Sequence, residues 1–523
     1  MIPRPRLSYP RRNLADLLGD SARYRPEHTA LLCDGHNLSY RELDCLANSA
    51  SKVLTDQGIA PGDRVVLAMR NRIEWAIAVF AILRAGAVAA LVNPRWNDAE
   101  MTHAVELLAP RLILCDETAR AAAAATGVDI LATEDGLGGA FWEGIARQDG
   151  EPPAPVERDW DADEAVLYFS SGTTGLPKVV RHSHRSQTAA YINWKSALRV
   201  ESSDRQQFAL PLFTVLGIGT LFSAVSAGAT LHLCAQFDPG AMLDEIERER
   251  ITLSTIVAPI AKRVSERPDL AARDLSSLRS IVWAATAINP TVAARITEAT
   301  GARWIMGYGM TELPGLHANP GEYPDRCRMD SPGLLRSDSE LRIVDPDTLE
   351  DVAPGAEGEL IARSPARMLG YLPESANEGV LLPGGWLRTG DLGRVDEDGW
   401  LFLTDRLKDV IKVSGLQVAP AEIEAQLLGH ETIADCAVIG APHPDKGEVP
   451  IAFLVAAGPD RDEAALAGWL AERLSRYKLP AEFRWVDEIP RTASGKTLRR
   501  ELRELRPASE SALAGHEGST HGG

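Results

Sequence analysis

The amino-acid sequence predicts an α/β protein: a large N-terminal domain of two related α/β lobes plus a small β-rich lobe, and a small C-terminal α+β domain. Three observations lead there. The chain has 523 residues, well past the roughly 250–300 at which a single hydrophobic core stops growing. Helical periodicity alternates with short apolar runs in two separate stretches, the βαβ rhythm of a parallel sheet. Beyond Ser331 the text changes to short strands divided by turn signals.

The first stretch runs from about Leu38 to Asp116 and contains the strand-like runs RVVLAM and RLILC. Its most apolar part, Trp75 to Val92, is interrupted by Arg84 and Gly86. A charge at mid-bilayer is costly, so this part is expected as a buried helix running into a strand and not as a membrane span. The second stretch, Ala165 to about Ile305, carries AVLYF, ATLHLC and LRSIVWAA, with helical DPGAMLDEIERER among them. From Ser331 to Thr404 the turn signals DPDT, PGAEG, PGG and DEDG mark the β-rich lobe. After Asp405, PAEIEAQLLGH reads as a helix with Pro420 in its first turn and Gly429 at its C-terminal cap. From about Arg506 the Ser, Gly, Ala and His residues lack apolar periodicity and predict a disordered tail, 506–523.

With 45% apolar and 24% charged residues the composition is that of an ordinary globular protein. Lys and Arg total 55 against 73 Asp and Glu, and the net charge of −18 repels a phosphate backbone, which argues against a nucleic-acid partner. A polyanionic ligand would have to be met by local basic clusters, and one stands near the C-terminal end. The six cysteines, Cys33, Cys45, Cys115, Cys234, Cys327 and Cys436, form no CxxC pair and have no His at zinc-finger spacing. They read as reduced and structural, as in cytosolic proteins. The opening MIPRPRLSYPRRN is basic and Pro-rich and lacks the apolar core of a secretory signal, so a cytoplasmic location is expected.

Chemistry is concentrated at Tyr168 to Lys178, YFSSGTTGLPK. An apolar strand leads into Ser170, Ser171, Gly172, Thr173, Thr174 and Gly175, and Lys178 closes the loop. Glycines let backbone N–H groups approach a phosphate, hydroxyls add donors, and the lysine neutralises charge. A bare SSGTTG string is also what a linker looks like. A Walker A loop requires its lysine directly after the second glycine, opening a helix, whereas Leu176 and Pro177 intervene here. Pro177 disfavours a helical conformation at Leu176, so Lys178 is expected on a turn.

In this order the eleven residues resemble the nucleotide loop of the adenylate-forming superfamily: acyl- and aryl-CoA synthetases, carrier-loading adenylation domains and luciferases. The resemblance extends from LSYRELDCLANSAS (Leu38 to Ser51) to the last lysine motif, with every landmark in family order. It implies an N-terminal adenylation domain over 1–407 and a mobile C-terminal domain over 408–505. The implied activity activates a carboxylic acid with ATP and Mg²⁺ and transfers the acyl group to coenzyme A. The alternatives are a carrier protein's phosphopantetheine as the acceptor, or a relative in which the adenylation half-reaction is impaired.

The other motifs take their roles from the same resemblance. GYGMTE begins like a dinucleotide fingerprint but has Glu312 where the last glycine belongs. As a family match it implies Tyr308 against adenine, Thr311 at phosphate and Glu312 as a Mg²⁺ ligand, an oxygen donor suited to a hard cation. GWLRTGDLG places Asp391 on a short loop after a strand, where the family's aspartate accepts both ribose hydroxyls. DRLKDVIKVSG supplies Arg406 to the ribose, Lys408 as the hinge and Gly415 beside the thiol tunnel. In IPRTASGKTLRR, Lys496 follows the Ser494–Gly495 pair and is the implied catalytic lysine, together with Thr174, Lys178 and Glu312. The implied acyl pocket is Thr214, Ala284, Gly307, Met310 and Leu313, small or flexible residues that leave room for an aromatic, alicyclic or medium-chain acid. None carries a charge, which disfavours an amino acid as substrate.

Three positions depart from the family pattern. Val179 replaces the glycine after the loop lysine and is expected to narrow the turn at Lys178. Thr214 stands where many relatives carry a His or an aromatic residue, and WAATAI replaces the usual Gly-Gly-Ala-Pro stretch. His182 and His184 have a spacing compatible with metal on a strand but lack further ligands, and no GxSxG nucleophile elbow is present.

Overall fold

Ser39 opens the first long helix, Tyr40–Asp56, with a reciprocal cap: its hydroxyl accepts from the Glu42 N–H at 3.2 Å and the Glu42 carboxylate accepts from the Ser39 N–H at 2.8 Å. Tyr40, Leu43, Ala47, Ala50 and Leu54 recur every three or four residues and form its buried face. That face meets the helix Ile73–Arg84, in which every residue from Ile73 to Leu83 is buried. The buried Glu74 takes two bonds from Arg72, at 2.9 and 3.0 Å, and one from the Trp142 indole N–H at 2.9 Å. Arg84 ends the helix and donates to Asn48 Oδ1 at 2.6 Å and to Asp44, a position where a cation also suits the helix dipole. The strand Val88–Leu91 follows, so the Trp75 to Val92 segment is the expected buried helix and strand. Among the described residues no helix is long and apolar enough to cross a membrane.

The computed structural model describes residues 7–134, 139–170, 178–284, 290–413, 416–443, 446–459, 461–492 and 495–505. They form three sheets. The seven-stranded sheet has the order Gly370–Leu372, Lys178–Ser183, Glu164–Ser170, Val88–Leu91, Arg64–Ala68, Leu112–Cys115, Ile130–Ala132, parallel except at its first two pairings. In the fourteen-stranded sheet, Thr29–Cys33, Thr230–Leu233, Arg205–Phe208, Leu253–Ile256, Ser280–Ala284 and Arg303–Met310 lie side by side in parallel. Antiparallel strands then extend it from Leu313–Ala318 through Gly333–Leu335, Trp400–Arg406, Trp386–Val395 and Gly358–Arg363 to Glu340–Val344.

The expected α/β class is therefore present, with different lobe membership. The strands Glu164–Ser170 and Lys178–Ser183, which the linear order assigns to the start of the second lobe, complete the first sheet, while Thr29–Cys33 and His36–Ser39 join the second. The β-rich segment mostly continues the large sheet, and Gly370–Leu372 crosses to the smaller one. Apolar alternation identifies a strand and its buried face but carries no label for the sheet it joins.

The five-stranded sheet is built from Ile411–Val413, Leu416–Val418, Ile433–His443, Gly447–Ala456 and Glu482–Trp485. One face packs Ile423, Leu427, Leu466 and Leu470 of the helices Pro420–Leu428 and Glu463–Ala471. The other packs Leu502 of Arg499–Glu504 with Ile439, Ile451 and Phe453. Pro420 occupies the first helical turn as expected, and Gly429 follows the last helical residue with an ordinary right-handed backbone at φ −77°. The expected tail, 506–523, lies outside the described residues.

Candidate active site

Ligands of open α/β sheets bind beyond the carboxyl ends of their strands. Here the turn that follows the carboxyl end of Arg303–Met310 is tied to the smaller sheet. His182, on Lys178–Ser183, reaches the Thr311 carbonyl at 2.8 Å through Nε2. A carbonyl only accepts, so Nε2 carries the proton and Nδ1 is left to accept from the Ser186 hydroxyl at 3.0 Å. Next to it the Tyr371 hydroxyl donates to Glu312 Oε1 at 2.7 Å, and the Lys178 ammonium stands 5.3 Å from the Tyr371 ring centroid. No local motif points to Tyr371, because its partner Glu312 lies 59 residues away.

Lys178 opens a strand and pairs with Ser170, so it lies neither at a helix N-terminus nor on the expected turn. Ser171, Gly172, Thr173, Thr174 and Gly175, which join those paired strands, lie outside the described residues, as does Gly415. Val179 is fully buried, paired with Phe169 and Leu372, and packs with Leu167 and Trp96. A β-branched residue suits that pleated, buried position, so Val179 acts as core and not as an obstruction of a turn.

On the large sheet, Asp391 is directly opposite Arg406 in the antiparallel ladder. It therefore lies inside the strand Trp386–Val395 and not on the expected loop. Its Oδ1 pairs with Arg406 Nε at 3.0 Å and its Oδ2 accepts from the Tyr308 hydroxyl at 2.6 Å. Burial works against the Arg406 charge, yet Asp391, followed by Tyr308 and Glu312, holds it above its ordinary value. Burial first, and Asp391 second, push the Tyr308 hydroxyl well above the usual phenol range. Glu359 anchors this strand by accepting from Arg388 Nε at 3.1 and 3.0 Å and from the Gly390 N–H at 3.2 Å.

Lys496 reaches the same cleft. Gly495 beside it has φ +87°, and a Cβ there would stand 3.2 Å from Val257 Cβ, so glycine lets the loop close on the start of the helix Ala258–Ser265. Burial and then Arg406 lower the Lys496 pKa, while Glu312 and Asp391 act in the opposite sense. Lys408 occupies the turn after Trp400–Arg406, and burial is again the main cause of its lowered pKa, with Arg406 and Lys496 adding to it.

The pocket residues divide. Gly307 and Met310 lie on the strand Arg303–Met310, and Ala284 is the register partner of Gly307. Thr214 caps the helix Val215–Ala227, its hydroxyl accepting from the Gly217 N–H at 3.1 Å and donating to the Pro211 carbonyl at 2.9 Å. Leu313 has no exposed surface and packs with Leu316, Leu335 and Ala362, so its side chain backs the site and lines no open space. Trp194, absent from the sequence-derived set, lies against Gly307.

The two histidines of HSH are buried and engaged: His182 as above, and His184 through Nδ1, which accepts from the Leu14 N–H at 3.2 Å. Burial lowers the His182 pKa to about 4 and that of His184 to about 3. Unfolded, both return to about 6.5. Below that value the unfolded chain binds more protons, so stability falls as pH drops from 6.5 towards the folded values. Asp405 has the opposite sign: burial raises its carboxyl from 3.8 to about 6, which favours the folded state as pH falls through 6. Between pH 7 and pH 5 the two histidines outweigh Asp405, so these three groups together make the protein less stable at pH 5 than at pH 7. Urea unfolding at the two pH values measures it, and equal midpoints would contradict it.

Comparison with known proteins agrees with this geometry. Residues 18–372 match the family model described as AMP-binding enzyme, and residues 422–496 match the AMP-binding enzyme C-terminal domain. The chain is 34% identical to 4-coumarate–CoA ligase 2 of Oryza sativa subsp. japonica over 505 residues, covering 90% of this chain and 88% of that protein. It is 34% identical to feruloyl-CoA synthase of Amycolatopsis sp, covering 92% and 96%. Among solved structures it resembles the anthranilate CoA ligase AuaEII in complex with anthranoyl-AMP, with TM-score 0.88 and 27% identity over 95% of this chain and 98% of the other. The chain belongs to the AMP-binding enzyme family, within the adenylate-forming superfamily of acyl- and aryl-CoA synthetases.

Proposed function

We propose that the protein is an AMP-forming acid–thiol ligase, which joins a carboxylic acid to coenzyme A at the expense of ATP. The observation that carries this reading is the convergence of Tyr308, Asp391, Arg406, Glu312 and Lys496 on one cleft, drawn from motifs up to 188 positions apart. A carboxylate is a poor electrophile because its oxide is a bad leaving group. One of its oxygens therefore attacks the α-phosphorus of ATP, the bond to pyrophosphate breaks, and a mixed anhydride with AMP forms. A thiol then attacks the acyl carbon, AMP leaves and a thioester results. Both displacements depend on positioning and charge stabilisation more than on a protein nucleophile.

Asp391 and Arg406 suit the ribose hydroxyls as acceptor and donor, and Tyr308 beside them suits the adenine face. Lys496 is a mobile cation where the carboxylate and the α-phosphate meet, and Lys178 with the Ser170 to Gly175 loop suits the outer phosphates. Glu312 fits Mg²⁺: Tyr371 occupies one carboxylate oxygen, and the other has no partner among the described residues. The ion would neutralise phosphate charge there. Lys408 is proposed as the hinge between an adenylation domain, 1–407, and a C-terminal domain, 408–505, whose rotation would withdraw Lys496 and bring the Gly415 loop to the thiol.

Aromatic acids stand first among the substrate classes, ahead of alicyclic and medium-chain acids, since the similar proteins are named for coumarate, ferulate and anthranilate. A panel of such acids, assayed for pyrophosphate and AMP release with and without coenzyme A, tests the reading. Pyrophosphate release that depends on the acid, and thioester formation that depends on coenzyme A, are expected. Turnover only with a phosphopantetheine carrier protein would replace the acceptor, and no acid-dependent pyrophosphate release would overturn the reading.

A further inference from the structure

The helix His184–Leu198 places Trp194 over the one position of Arg303–Met310 that lies beside Ala284. A Cβ on Gly307 would stand 2.9 Å from Trp194 Cζ3 and 3.1 Å from Cη2, so the indole occupies the space that the missing side chain leaves. The ring is 7% exposed, and its Nε1–H is buried with no hydrogen-bond partner among the described residues. Of the other buried indoles, Trp304 donates to Thr297 at 2.8 Å, while that of Trp75, on the helix Ile73–Arg84, shares the unpartnered state among the described residues. A buried donor without a partner loses its hydration for nothing, and such groups in native proteins call for a specific explanation. Two turns back on the same helix face, Gln187 accepts from the Tyr168 hydroxyl at 2.9 Å, while its own Nε2 is likewise buried and unpartnered among the described residues. This helix face therefore combines a rigid aromatic ring beside Gly307 with spare N–H donors.

From these observations we infer that Trp194 is a specificity-determining residue. It forms the far wall of the acyl pocket behind Gly307, limits the acid to about the length of one ring, and selects an acid with a hydrogen-bond acceptor at the end remote from its carboxylate. Gly307 thus makes room for the indole as well as for substrate, and the pocket is shorter than its sequence suggests. This inference rests on the acid-activating reading of the cleft.

The test compares benzoate, 4-methylbenzoate, 4-methoxybenzoate and 4-butylbenzoate by acid-dependent pyrophosphate release in the wild type, Trp194→Ala and Trp194→Phe. In the wild type the methoxy acid is expected to exceed the methyl acid in kcat/KM by roughly ten-fold, with the butyl acid poor. Trp194→Ala should raise the butyl-to-benzoate ratio of kcat/KM by about ten-fold or more, as for extra methylenes admitted to a pocket. Trp194→Phe, which retains most of the bulk and removes the N–H, should keep the length limit and lose the methoxy preference. It also keeps the test decisive if the alanine variant does not fold. As a second readout, Gly307→Ala should lose acid binding, and Trp194→Ala in the same chain should restore part of it. An active wild type with no methoxy preference, or variants with an unmoved length profile, would overturn the assignment of Trp194. A wild type that releases no pyrophosphate with any acid would instead sink the reading of the cleft on which the inference rests.

Discussion

Lys496→Ala is expected to lower adenylate formation by about 10²–10³-fold, the cost of removing one preorganised charge-stabilising group, while thioester formation from pre-made acyl-AMP stays close to wild type. The first half-reaction brings two anions, carboxylate and α-phosphate, into contact, and a cation between them counts for more in the transition state than before it. The surroundings of Lys496 suit it to stand there, since Arg406, Glu312 and Asp391 all act on its charge and burial has already removed much of its water. In the second half-reaction a thiol attacks an anhydride that already has a good leaving group, and the lysine is proposed to have moved away. Pyrophosphate exchange measures the first step, and thioester release from synthetic acyl-AMP measures the second. Equal losses in both would contradict the role given to Lys496.

Asp391→Asn is expected to weaken ATP binding by about a hundred-fold, or roughly 2–3 kcal/mol, the range for hydrogen bonds to a charged group, with little change in KM for the acid. The two carboxylate oxygens are committed to different donors, Arg406 Nε at 3.0 Å and the Tyr308 hydroxyl at 2.6 Å. An amide retains only one acceptor oxygen, so its NH₂ must face a donor. The Arg406 side chain is 37% exposed, and water takes up part of its lost pairing, which keeps the expected effect below that of a deeply buried broken ion pair. ATP titration by calorimetry alongside acid saturation kinetics separates the two ligands. An equal rise in both would point to a general loss of structure at the strand Trp386–Val395.

Much of the site is legible in the linear text because motif identity is local. Tyr308, Glu312, Asp391, Arg406 and Lys496 all stand in short recognisable strings, and each comes to the cleft or acts on its charges. Their settings are harder to read. The Gly-flanked Asp391 has the composition of a turn and belongs to a ten-residue strand, because its ladder partner Arg406 is supplied by a neighbouring strand. Val179 reads as an intrusion into a turn and is core, because Phe169 and Leu372 flank it in the sheet. The HSH pair has the spacing of metal ligands, yet His182 braces the Thr311 carbonyl 129 residues away.

The division follows the range of the forces involved. Helix caps, turn residues and strand alternation act within a few positions, so residue order alone settles the α/β class, the buried helix before Val88–Leu91 and the helix beginning at Pro420. Packing in three dimensions decides which strands share a sheet, how His182 and Tyr371 join the two sheets at Thr311 and Glu312, and that Trp194 fills the space beside Gly307. Apolar periodicity states which face of an element avoids water, and it says nothing of which distant element will cover that face.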